Sequence, residues 1–190
     1  MSHRHPMKRF PVWFLSALAC VFAVLAASGS PKREFLTEKE IEQIQDNNEI
    51  QIRVKLYLDF AASRLKVAEE RLSGKESEPG DPFEFFTPED MLAGYYRILE
   101  SVMLNLEDAY QKNDAMERGK VQKALKTLKG GTESALTQLE ILKKIAEEKD
   151  KEELWNLVQK AIDISKGAHE GAESGISKEP DPADKKSKKK

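Results

Sequence analysis

The sequence predicts an all-α protein, an elongated antiparallel three- or four-helix bundle with coiled-coil-like seams that follows a removable N-terminal segment. Apolar residues recur at alternating spacings of three and four along several long stretches. Helix-capping residues stand where most of these stretches begin. No stretch alternates apolar and polar residues for more than a few positions, as a half-buried strand would. These three observations together favour helices that bury one face and expose the other.

Residues 1–29 have the order of a secretory signal peptide. Lys8 and Arg9 precede an uncharged apolar run over residues 11–27, and small residues follow at 28–30. We therefore expect an exported protein, either periplasmic or extracellular. The alternative is an uncleaved membrane anchor formed by residues 11–27, because a helical span needs about 17–25 residues.

The chain that follows this segment is acidic. All 33 Asp and Glu residues lie after residue 29 and three of the 31 Lys and Arg residues lie before it, so the remainder carries a net charge of −5. The single cysteine, Cys20, lies within the signal segment. We therefore expect burial of apolar side chains, rather than disulfides, to stabilise the domain.

The bundle domain is predicted over residues 30–171. Thr37 and Glu40 form a capping box that begins the first helix, which extends to Leu72. Weak helix formers at 46–48 interrupt its apolar stripe, so we predict a break near residues 46–49. A polar loop follows over 73–82, and a central helix begins after Thr87 and ends near residue 112.

The stretch 115–149 keeps one heptad phase through Gly130 and Gly131. A pair of glycines usually marks a turn, and each glycine costs a helix about 1 kcal/mol. The unbroken phase favours one long helix, and two helices that are split at the glycines are the alternative.

The last helix is predicted to begin at a capping box formed by Asp150 and Glu153. Gly167, Gly171 and Gly175 predict that it frays, and Gly, Ser, Pro and Lys dominate the sequence beyond. Residues 172–190 are therefore predicted to be a disordered Lys-rich tail.

The residue pattern favours no catalytic, cofactor or metal site. After residue 29 the chain has one histidine, His169, and it lacks the Glu-x-x-His pairs of di-iron bundles. It also lacks a Gly-x-Ser-x-Gly elbow, and residues 128–132 lack the spacing of a phosphate-binding loop. A weaker alternative is a carboxylate-dependent hydrolase that uses Glu84 and Asp90.

The leading expectation is an exported, non-enzymatic helical protein that acts by protein binding or self-association, as a scaffold or adaptor does. The candidates for partner contact are aromatic residues that lie beside the apolar stripes or before the central helix, although such residues more often complete the edge of the core. They are Phe83, Phe85, Phe86, Tyr57, Tyr96 and Trp155.

Two further expectations concern ligands. Helices that splay around Gly130 and Gly131 would admit a small apolar molecule, so a carrier function is the alternative to protein binding. The Lys-rich tail suggests weak contact with an anionic surface such as lipid or a cell-wall polymer. Nucleic acid is not an expected partner of an exported chain.

Overall fold

A computed structural model describes residues 34–111 and 115–178, and the regular structure in these ranges is entirely helical. The predicted all-α class is thus confirmed for this part of the chain. The signal segment at 1–29 and the end of the Lys-rich tail at 179–190 lie outside the described residues. The helices are α1 (Glu38–Gln45), α2 (Ile50–Leu72), α3 (Pro88–Gln111), α4 (Ala115–Glu148) and α5 (Glu152–Lys178).

Four long helices pack around one core, and each has two main neighbours. Helix α2 packs against α3 and α4, and α5 packs against the same two helices, so α2 and α5 lie diagonally opposite. The consecutive pairs α2/α3 and α4/α5 are antiparallel hairpins. Helix α2 runs parallel to α4, because Leu58 lies beside Gly131 and Glu69 beside Gln138. The predicted antiparallel arrangement therefore holds within each hairpin, whereas neighbours from different hairpins are parallel.

The capping box and the break near residues 46–49 are both present. The Thr37 hydroxyl accepts a hydrogen bond from the Glu40 amide, and the Glu40 carboxylate accepts one from the Thr37 amide. Helix α1 ends at Gln45, and Asn47 bonds back to the Gln43 carbonyl instead of continuing the helix. Short polar side chains compete with helical hydrogen bonds in this way, which explains the break.

A buried ion pair fastens α1 to α2. Arg64, only 1 % exposed, donates from Nη1 and Nη2 to the two Glu40 carboxylate oxygens at 2.9 and 2.5 Å. Its Nη2 also donates to the Phe35 carbonyl at 3.0 Å. The guanidinium carbon lies 4.1 Å from the centroid of the Phe83 ring. One side chain of α2 therefore holds the start of the domain and the segment before α3.

Helix α4 continues through its two glycines, which confirms the prediction of one long helix. The surroundings of the two glycines differ. A Cβ atom on Gly131 would lie 3.1 Å from Leu58 Cδ1, so this glycine permits close approach of α2, whereas a Cβ on Gly130 would meet nothing within 4 Å.

The structure corrects both the start and the end that the sequence predicts for α5. Asp150 has a positive φ of 53° and forms the turn between α4 and α5, so it does not cap the helix that begins at Glu152. The helix extends to Lys178 rather than ending near 171. Ala168 and Ala172 continue the buried stripe, and a Cβ on Gly175 would lie 2.8 Å from Leu125 Cδ1. These contacts show that Gly175 permits close packing on α4 instead of fraying the helix. No helix in the described ranges has both the length and the apolar character needed to cross a membrane.

Substitution of the two central glycines should have unequal effects. Gly130→Ala should raise the free energy of unfolding by about 1 kcal/mol, because alanine is the better helix former and its methyl group meets open space. Gly131→Ala should lack this gain, because Leu58 must move to admit the methyl group. Urea unfolding of the two variants measures the difference, and equal stabilisation would contradict the close approach of α2 at Gly131.

Candidate functional site

A cavity of about 320 Å³ lies between α2 and α4 beside the two central glycines. Small side chains leave this space where the two helices run in parallel. Its apolar wall consists of Leu58, Ala61, Ala62, Leu65, Gly130, Gly131 and Ala135, and Tyr95 of α3 closes its inner end. Its polar lining residues are Lys55, Asp59, Thr127, Thr132, Ser134 and Gln138.

The hydroxyl groups around the cavity bond within the protein. Thr132 donates to the Leu128 carbonyl at 2.9 Å, and Ser134 donates to the Gly130 carbonyl at 3.1 Å. The Tyr95 hydroxyl lies 2.6 Å from Ser165 Oγ. Because Ser165 donates its only proton to the Ala161 carbonyl, Tyr95 must donate to Ser165. The deep wall of the cavity is therefore chemically apolar.

The mouth of the cavity carries charge. Lys55 and Asp59, one turn apart on α2, form an ion pair of 2.6 Å with side chains that are 66 % and 56 % exposed. On the opposite edge, Gln138 of α4 donates to the Glu69 carboxylate at 3.0 Å. The site thus combines an apolar interior with a charged rim.

The structure places His169 beside the cavity wall without giving it a catalytic geometry. Its Nδ1 lies 3.2 Å from the Thr132 hydroxyl, whereas the carbonyls of Leu128 and Lys129 lie closer to that hydroxyl, at 2.9 and 3.0 Å. A threonine hydroxyl has one proton, and in this geometry a backbone carbonyl takes it. The contact therefore joins α4 to α5.

The two carboxylates considered for hydrolase chemistry have backbone partners. Asp90 accepts a hydrogen bond from the Thr87 amide at 3.0 Å, and Glu84 accepts one from the Gly80 amide at 2.9 Å. These bonds form a helix cap and a turn. Within residues 34–111 and 115–178, no three His, Cys, Asp or Glu side chains are grouped so that they could hold a metal ion.

The aromatic segment, residues 83–86, lies at the end of the bundle where α2 ends and α3 begins. Phe83 and Phe86 pack edge to face with their ring centroids 5.8 Å apart, and both rings contact the core. Phe85 points outward, with 79 % of its surface exposed. It lines a shallow depression together with Arg71, Phe86 and Lys151.

The other three aromatic candidates are separate from this segment. Tyr57 is buried in the core, which is the more common of the two roles that the sequence left open for it. The Lys160 ammonium lies 4.1 Å from the ring centroid of Tyr96. Trp155 donates to the Glu147 carboxylate at 2.8 Å. Most of the sequence-predicted contact residues therefore have partners within the chain.

Comparisons with known protein families, with curated proteins and with solved structures gave no match to this chain. The candidate site is therefore described by its geometry alone.

The buried tyrosine at the inner end of the cavity should make stability depend on alkaline pH. Burial raises the pKa of Tyr95 from 10.0 to about 12, so the folded state keeps the proton longer than the unfolded state does. This stabilisation is fully present below pH 10 and is lost as the pH rises from 10 to 12. Tyr95→Phe should reduce the loss of unfolding free energy over this interval by about 2 kcal/mol.

Urea unfolding at a series of pH values measures this effect. Tyr110, which is 54 % exposed, provides the matched control, because Tyr110→Phe removes a hydroxyl that solvent already reaches. Equal pH dependence of the Tyr95→Phe variant and the unsubstituted protein would contradict the buried position of the Tyr95 hydroxyl.

Proposed function

We propose that this chain is a non-enzymatic helical binding protein that holds a small apolar molecule in the cavity between α2 and α4. The cavity itself is the observation that supports this function, since its volume is about 320 Å³ and its innermost lining includes the buried apolar side chains of Ala61 and Leu65. Ligand sites of helical bundles lie between helices, have volumes of about 300–1,000 Å³ and are mostly apolar.

The size of the cavity limits the size of the ligand. An apolar cavity of about 150 Å³ accommodates benzene, so one of 320 Å³ accommodates roughly ten to twelve carbon atoms. Burial of ten methylene groups contributes about 8 kcal/mol, against an association cost of at least about 4 kcal/mol. The balance favours reversible binding, which suits a carrier that releases its cargo.

The N-terminal segment bears on where this carrier would act. The order of basic, apolar and small residues over 1–29 supports a periplasmic or extracellular carrier, or one that residues 11–27 anchor to a membrane. The lysines near the C-terminus would add weak contact with an anionic surface.

Filling the cavity should abolish binding without unfolding the protein. 1-Naphthylamine, an uncharged fluorophore with ten carbon atoms, should bind the protein saturably with one site per chain. Ala135→Leu places a larger side chain on the half-buried wall of the cavity and should weaken binding at least tenfold. Ala62→Leu, on the α2 side, should act in the same way.

Ala93→Leu is the matched control, because Ala93 is also half-buried but lies on α3 away from the cavity. It should bind the probe as the unsubstituted protein does, and far-UV circular dichroism should show that all the variants are folded. Non-saturable fluorescence, or undiminished binding by both cavity variants, would contradict the proposed carrier function.

A second candidate function is self-association through the aromatic segment. The specific observation that favours it is Phe85, a largely exposed aromatic ring on a segment that Phe83 and Phe86 hold against the core. Rings of this kind dominate the energetics of protein interfaces when a partner covers them. The partner in this case would be a second copy of the chain.

The two phenylalanines should separate association from folding. Phe85→Ser should change the free energy of unfolding by less than about 0.5 kcal/mol and should convert dimer to monomer in light scattering. Phe83→Ser should destabilise the fold by about 3 kcal/mol, because it removes a packed ring from beneath Arg64. A protein that is monomeric at high concentration would eliminate this candidate.

A further inference from the structure

We infer that the molecule held in the cavity is an amphiphile with an anionic head group that remains at the mouth beside Lys55. This inference rests on the proposed carrier function and names the chemical class of its ligand. Three features of the site lead to it: the chemistry of the interior, the ion pair at the mouth and the charge of the neighbouring part of α4.

The interior of the cavity selects an apolar chain. Tyr95 donates to Ser165, and Thr132 has backbone and imidazole partners, so neither hydroxyl needs a ligand atom. A polar ligand group placed there without a hydrogen bond would lose about 2–7 kcal/mol. The polar end of any ligand must therefore stay at the mouth.

The ion pair at the mouth exchanges partners at little cost. The Lys55 and Asp59 side chains are both mostly exposed, and a pair of this kind contributes about 0–1 kcal/mol. The four-carbon stem of Lys55 lets its ammonium group move from Asp59 to a ligand head group, and water then solvates the Asp59 carboxylate. Lys55 is thus able to hold an anion at the rim of the cavity.

The charge of α4 favours an anion over a cation. Between residues 118 and 132 this helix carries five basic residues and no acidic one: Arg118, Lys120, Lys123, Lys126 and Lys129. The α4 residues Thr127, Gly130 and Gly131 line the cavity within this stretch. Lys123 lies one turn before Thr127 on the same face, because residues four apart are neighbours on a helix. Lys129 forms an ion pair of 2.7 Å with Glu173, and Lys120 lies 3.9 Å from Glu49, so the positive charge of α4 nearest the mouth is that of Lys123, which would repel a cationic head group.

The test compares three ligands that share a ten-carbon chain: decanoate, 1-decanol and decylammonium. Each is titrated at pH 7 and low salt to displace 1-naphthylamine from the full chain. Decanoate should bind at least fivefold more tightly than decylammonium. Added salt should lower the affinity for decanoate and leave the affinity for decanol unchanged.

Variants at the mouth identify the group responsible. Lys55→Met keeps most of the apolar stem and removes the charge. It should therefore lower the affinity for decanoate at least fivefold and leave the affinity for decanol unchanged. Asp59→Asn is the matched control on the other member of the ion pair. It should raise the affinity for decanoate, because it removes the carboxylate that competes for Lys55.

The outcomes distinguish this inference from the carrier function on which it rests. Equal or tighter binding of decanol or decylammonium, or an unchanged affinity of Lys55→Met for decanoate, would overturn the anionic head group while the cavity remained a binding site. Failure of all three ligands to displace a saturably bound probe would overturn the head-group assignment alone. Failure of the probe itself to bind saturably would overturn both.

Discussion

The buried guanidinium of Arg64 is the interaction on which the arrangement of the first half of the domain depends. A charge removed from water costs several kcal/mol unless it has a full set of partners. Arg64 obtains them from Glu40, from the Phe35 carbonyl and from the face of Phe83. These groups lie in three different segments, so each segment must be in place for the others to be stable. The helix α1, the lead before it and the aromatic segment therefore form one unit with α2.

This unit gives α2 two unlike faces. The face toward α3 carries the buried Arg64, and a Cβ atom on Gly94 would lie 3.7 Å from this side chain, which leaves room for no more than a methyl group. The face toward α4 carries Ala61 and Ala62, and it touches α4 closely at Leu58 and Gly131. The cavity lies on this second face, where small side chains cannot fill the space between parallel helices. Ion-paired, buried residues on one face and small residues on the other explain how a stable bundle keeps this cavity.

The sequence predicted the helices better than it predicted their contacts. Capping boxes and apolar periodicity are local signals, so the break at 46–49 and the continuity of α4 followed from neighbouring residues alone. The end of α5 could not be predicted from neighbouring residues, because the effect of Gly175 depends on Leu125. Leu125 is remote in sequence and packs against Gly175. The sequence suggested helices that splay around Gly130 and Gly131, whereas α2 approaches α4 closely at Gly131 and the cavity beside it depends on which residues of α2 face α4.

The ion pair of Arg64 is a second contact that local sequence patterns did not predict. Its spacing from Ala61 and Ala68 places it on the buried stripe, and this register was a signal that could have marked it. Its partner Glu40 is separated from it by 24 residues, and no local pattern pairs them. The sequence left the burial of Tyr57 open for a related reason, because the width of a buried face is set by the number of neighbouring helices.

A double-mutant cycle on Arg64 and Glu40, measured by urea unfolding, tests whether the buried guanidinium requires its counter-ion. If Arg64 depends on Glu40, Glu40→Gln should lower the free energy of unfolding by about 3 kcal/mol, because it leaves a buried charge without its counter-ion. The same substitution in an Arg64→Met background should cost less than about 0.5 kcal/mol or even stabilise the fold, since the guanidinium that needs Glu40 is then absent and Glu40→Gln removes an unpaired carboxylate. An equal cost in both backgrounds would contradict the account and would show that Glu40 stabilises α1 independently of Arg64.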